Sequence, residues 1–69
     1  MDEKKECIVV RDGKALMYDA EVKVLYYSSK GFTVFDSKRK AISARWHTIE
    51  NDKAAGRVEP WKDYEVIET

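Results

Sequence analysis

The sequence predicts an α+β fold: a small antiparallel sheet of four to five short strands, with one helix within residues 38–55 packed on one face. Three observations predict it. Between Asp36 and Gly56 there is no Pro and no Gly, and Ile42, Trp46 and Ile49 recur at spacings of four and three, one side of a helix. Asp12-Gly13 stands between two apolar runs, which is hairpin-turn chemistry. Residues 20–27 and 32–35 alternate as strands do. The chain has 69 residues, room for one domain over 1–69, with 1–6 read as a flexible, charged end.

The elements follow in order. Residues 7–11, CIVVR, form a β-branched strand in which Cys7 is a small buried hydrophobe. Residues 14–18 return after the Asp12-Gly13 turn, and Asp19 and Ala20 mark either a bend or a bulge. Residues 20–27, AEVKVLYY, are the clearest strand. Ala20, Val22, Val24 and Tyr26 face one way, and Glu21, Lys23, Leu25 and Tyr27 the other. Ser28 to Gly31 is a turn, after which residues 32–35 pair back on that strand. The face carrying Val22, Val24, Tyr26, Phe32 and Val34 is the more apolar and is expected under the helix.

Asp36 and Ser37 are N-cap residues and Gly56 closes the helix. Its expected inner stripe is Ile42, Trp46 and Ile49. The charge order opposes the helix dipole, with Lys38, Arg39 and Lys40 in the first turn and Glu50 and Asp52 towards the end. A second reading divides the stretch into a strand over 41–47 and a short helix over 48–55 capped by Thr48, giving a mostly-β barrel. Beyond Gly56, Pro60 confines the chain to an edge or a break, residues 64–67 form the closing strand, and Trp61 caps the core.

Thirteen basic and thirteen acidic residues give zero formal charge, which argues against a general polyanion binder. The distribution is uneven: residues 37–47 carry four basic residues and no acid, while residues 57–69 carry two basic and four acidic. No apolar run is long enough for a membrane span or a secretory leader, so a soluble, cytoplasmic protein is expected. One Cys and one His, with the three glycines scattered, offer no triad, metal set or phosphate loop, so no enzyme, cofactor or metal is expected. His47 reads as an exposed imidazole.

The remaining constellation is Lys38, Arg39, Lys40 and Arg45, with Tyr27 as an aromatic for stacking beside Tyr26 and Trp46. At a helix start such cations meet amide hydrogens that already favour anions, and exposed aromatics stack on bases. The first expectation is therefore a non-enzymatic binding module acting on nucleic acid through residues 38–45. The alternative is a protein-binding adaptor or inhibitor, of a style found in bacterial or phage-encoded accessory proteins, using an exposed sheet face of Leu25, Tyr27 and Phe35. A homodimer closing that face would bury what a small monomer leaves exposed. The order of elements and the SKRKAIS stretch resemble the arm-type DNA-binding domains of tyrosine recombinases, although the acidic tail departs from that pattern. The divided reading is similar to a Tudor-like barrel, whose clustered aromatics hold methylated lysine.

Overall fold

The computed structural model describes residues 5–69 and has an α+β architecture. Among the described residues, five short strands form two antiparallel sheets, and one 17-residue helix packs across both. The strands are β1 (Cys7–Arg11), β2 (Lys14–Ala15), β3 (Met17–Asp19), β4 (Val24–Tyr26) and β5 (Tyr64–Glu68). The helix is α1 (Lys38–Ala54), and a 3-10 turn, Pro60–Lys62, precedes β5. The first sheet has the order β2-β1-β5 and the second is the hairpin β3-β4. Of the expected flexible end, residues 1–4 lie outside the described part.

β1 is the central strand because both its edges are used. The Glu6 carbonyl accepts from the Thr69 amide at 2.9 Å, continuing the β1–β5 ladder by one residue. Backbone groups alternate in direction along an antiparallel strand. Those of Cys7 and Val9 therefore point the other way: Cys7 exchanges both bonds with Phe35, and the Val9 carbonyl accepts from Leu16. Asp12 (φ 54) and Gly13 (φ 75) are both left-handed, the backbone that the tight turn between β1 and β2 requires.

Residues 20–27 are not one strand. The Asp19 carboxylate accepts from the Glu21 amide, and Lys23 takes a left-handed φ of 57, so residues 20–23 turn and only Val24–Tyr26 remain extended. A side chain that folds onto its own backbone here overrides the β propensity of Val22. The turn also resets which side chains face inward. Leu25 is buried, whereas Val22 is exposed, and so is Tyr26. Residues 32–35 do not pair with β4 either. They wedge between β1 and β3, with the Thr33 amide donating to the Leu16 carbonyl and the Thr33 hydroxyl accepting from the Tyr18 amide. The face expected inside, Phe32 and Val34, is outside, and Phe35 is inside.

The helix is continuous from Lys38 to Ala54, so the strand over 41–47 and the Tudor-like barrel do not form. Ser37 caps it, its hydroxyl accepting from the Lys40 amide, and Gly56 follows with φ 91. Asp36 offsets the misplaced charge at the helix start by pairing with Lys40 at 3.0 Å. The inner stripe is not Ile42, Trp46 and Ile49. Ala41, Ala44, Thr48, Ile49 and Asp52 face the sheets, and Ile42 and Trp46 are 46% and 55% exposed. Small residues let the helix lie close to β4. There the buried Thr48 hydroxyl donates to the Ala44 carbonyl and accepts from the Leu25 amide, both at 2.9 Å. The core is Cys7, Val9, Leu16, Leu25, Phe35, Ala41, Ala44, Ile49 and Tyr64.

Candidate functional site

The four cations expected to bind together separate into two kinds. Lys38 and Arg39 are exposed on the first turn of α1 and, among the described residues, make no ion pair. Lys40 is held by Asp36, and Arg45 serves the fold. The Arg45 Nε donates to the Tyr64 carbonyl at 3.0 Å and its Nη2 to the Trp61 carbonyl at 2.7 Å. A guanidinium can span two carbonyls because its donors form a rigid fork. Arg45 thus clamps the 3-10 turn and the start of β5 onto the helix. Tyr27 lies elsewhere, at the end of β4, with the Lys14 ammonium 4.9 Å from its ring centre.

The face expected for protein binding is not assembled. Leu25 and Phe35 are 4% and 8% exposed and belong to the core, so of that set only Tyr27 is at the surface. Trp61, expected over the core, is exposed as well, while Pro60 beside it is buried. His47 is exposed at the rim of a shallow hollow formed with Tyr18, Phe35, Lys40 and Ser43.

The outer side of α1 is a surface that the apolar periodicity hid. At 3.6 residues per turn, Arg39, Ile42, Trp46 and Lys53 fall within roughly 60° of arc. Ile42 and Trp46 are one turn apart, so their side chains are neighbours. Lys38 and Arg39 stand at the N-terminal end of this strip, and Lys53 pairs with Glu50 at 3.6 Å at the other end. The spacing of four that placed Ile42 and Trp46 together in the sequence is correct. What it did not reveal is which way that side faces.

Electrostatic organisation inside the molecule centres on Tyr64. Its hydroxyl donates to the Asp52 carboxylate and accepts from the Arg11 guanidinium at 3.5 Å, while Arg57 lies 3.9 Å from Asp52. The Tyr64 pKa is raised from 10.0 to about 12, first by burial and then by the hydrogen bond and the charge of Asp52, with Arg11 and Arg57 acting in opposition. This network ties the end of α1 to β1 and β5. No cluster of three or more His, Cys, Asp or Glu suited to a metal occurs among the described residues. Among the same residues, no helix is long and apolar enough to cross a membrane. Comparison with family models, with curated proteins and with solved structures found no match.

Proposed function

We propose that the chain is a small binding module that docks through the outer side of α1 onto an acidic protein surface containing an apolar spot. The observation that carries this reading is the exposure of Trp46 and Ile42, side by side on the helix, with Lys38 and Arg39, which make no ion pair among the described residues, beside them. Large apolar side chains placed together at a surface mark interaction sites, and Trp and Arg are enriched at the centres of interfaces. The two cations give the contact its sign and orientation. A cytoplasmic setting fits the single, buried cysteine.

A nucleic-acid partner is the second reading, and the same observation favours it in part. Lys38 and Arg39 sit on the first turn of α1, where amide hydrogens attract anions, and Trp46 is free to stack. It ranks second because Lys40 and Arg45 are engaged within the fold and the net charge is zero.

The experiment has two arms. In one, tagged protein captures partners from a lysate, with Lys38→Glu/Arg39→Glu run beside the unaltered chain. Docking on an acidic protein predicts that one acidic species is captured and that the double variant loses it. In the other arm, a short duplex and a short single strand are titrated into isotope-labelled protein at low salt. Saturable amide shifts over residues 38–46 that fade with salt, with no captured protein, would replace the first reading by the second. A captured species that binds the double variant equally well contradicts both roles for these cations. A species that proves to be this same chain, confirmed by sedimentation, replaces the acidic partner by a homodimer.

A further inference from the structure

Arg11 and Lys14 face each other directly across the turn between β1 and β2. Residues opposed in this way project from the same face of the sheet, and like charges so placed destabilise the pair. Neither has a carboxylate within 4 Å among the described residues. Arg11 approaches the Tyr64 ring, its guanidinium carbon 5.6 Å from the centre, and donates once to the Tyr64 hydroxyl. A guanidinium has five N–H donors, so most of them have no partner among the described residues. The left-handed backbone of Asp12 and Gly13 sets the two residues opposite each other, and the Lys14 ammonium lies over the Tyr27 ring, 4.9 Å from its centre.

Both cations border a hollow of about 240 Å³, floored by Leu16 and Leu25 and walled by Tyr26 and Tyr27. Asp12 also lines it. Two cations that make no ion pair among the described residues, beside an apolar floor and two exposed aromatic rings, form an arrangement that a bound anion would complete. The chemistry is specific. Two cations call for an anion, and the tyrosine wall calls for a flat ring that can stack. The volume lies below the usual span for drug-sized ligands, which limits the guest to a single ring with its anionic group.

We infer that the hollow between the β1–β2 turn and β4 binds a small organic anion, a carboxylate or phosphate carried on one flat ring, with Arg11 and Lys14 holding the anionic group and Tyr27 stacking on the ring. This site is separate from the outer side of α1 and stands or falls independently of it.

The test titrates isotope-labelled protein with benzoate, phenyl phosphate, inorganic phosphate and benzyl alcohol. The expected result is saturable amide shifts over residues 11–14 and 25–27 with benzoate, phenyl phosphate or both. The alcohol and inorganic phosphate bind at least about tenfold more weakly. Which of the two ring anions binds more tightly distinguishes a carboxylate guest from a phosphate ester. Lys14→Glu abolishes the shifts, because it puts a carboxylate where the anionic group would bind, and a retained cooperative melt shows that the variant still folds. Tyr27→Ala, at an exposed position, weakens ring anions and leaves inorganic phosphate unchanged. Four outcomes would overturn the assignment: no saturable shift with either ring anion, shifts that map elsewhere, equal binding by Lys14→Glu, or inorganic phosphate binding as tightly as the tighter of the two ring anions.

Discussion

Thr48 and Tyr64 are two of the polar residues on which the interior depends. The Thr48 hydroxyl satisfies the buried Leu25 amide and is itself satisfied by the Ala44 carbonyl. Thr48→Val keeps the shape and leaves that amide unpaired, a loss of about 1–3 kcal/mol. Thr48→Ser keeps the bond and loses only a methyl group. Chemical denaturation of the two variants should therefore rank Val below Ser, and the reverse order would show that the hydroxyl is dispensable. For Tyr64 the sign follows from its raised pKa. The unfolded chain releases the phenolic proton near 10.0 and the folded chain near 12. Between those values the folded state holds the proton more tightly, so the contribution is whole below pH 10 and is lost as pH rises through 12. The shift is worth about 2–3 kcal/mol. Unfolding followed from pH 9 to 12 should show a steeper loss in the unaltered protein than in Tyr64→Phe. Parallel curves would mean that Tyr64 ionises as freely in the fold as outside it.

At the scale of elements, α1 was legible in the sequence and its orientation was not. The caps, the absence of Gly and Pro, and the helical spacing of Ile42, Trp46 and Ile49 placed the ends of the helix within a residue, although the alternation over 41–47 also allowed a strand there. The inner side went unread because it consists of Ala41, Ala44, Thr48 and Asp52 around one Ile49, residues that no hydrophobicity pattern would choose. Close approach to β4, not apolar area, selects them. The Asp12-Gly13 turn was equally legible, since few sequences other than a D-G or N-G pair accept two successive left-handed residues. Residues 20–27 misled for a physical reason. The alternation was present, but the Asp19 side chain accepts from the Glu21 amide, and Lys23 takes the conformation that reverses the inward face. The basic residues at 38–40 were visible by type. That Arg45 would be drawn onto the Trp61 and Tyr64 carbonyls was not, because those carbonyls lie at least sixteen residues away. Arg45→Ala releases the 3-10 turn and the start of β5, and amide exchange at residues 60–64 should quicken while exchange in the β3–β4 hairpin stays slow. Unchanged exchange at residues 60–64 would show that the clamp carries no weight.

The whole molecule is small enough that its surface must do two jobs. A domain of this length buries only about 60% of its unfolded surface, and here the core sets Cys7, Ala41 and Ala44 among a few larger side chains, of which only Phe35 and Tyr64 are aromatic. Both tryptophans, two of the four tyrosines and Phe32 remain exposed. Such a distribution places binding capacity outside a core that is complete without it. It also separates the two candidate surfaces, with the outer side of α1 carrying apolar groups beside cations and the β1–β2 turn carrying cations around a hollow.

The most direct test compares Trp46→Ala, Ile49→Ala and the unaltered chain in melting and in partner capture. Ile49→Ala, a core truncation, is expected to lose about 2–5 kcal/mol of stability. Trp46→Ala stays within about 0.5 kcal/mol of the unaltered protein, as surface substitutions do, and still loses the captured acidic partner. A Trp46→Ala protein that melts as early as Ile49→Ala would contradict the orientation of α1. One that keeps its stability and its partner would contradict the docking face.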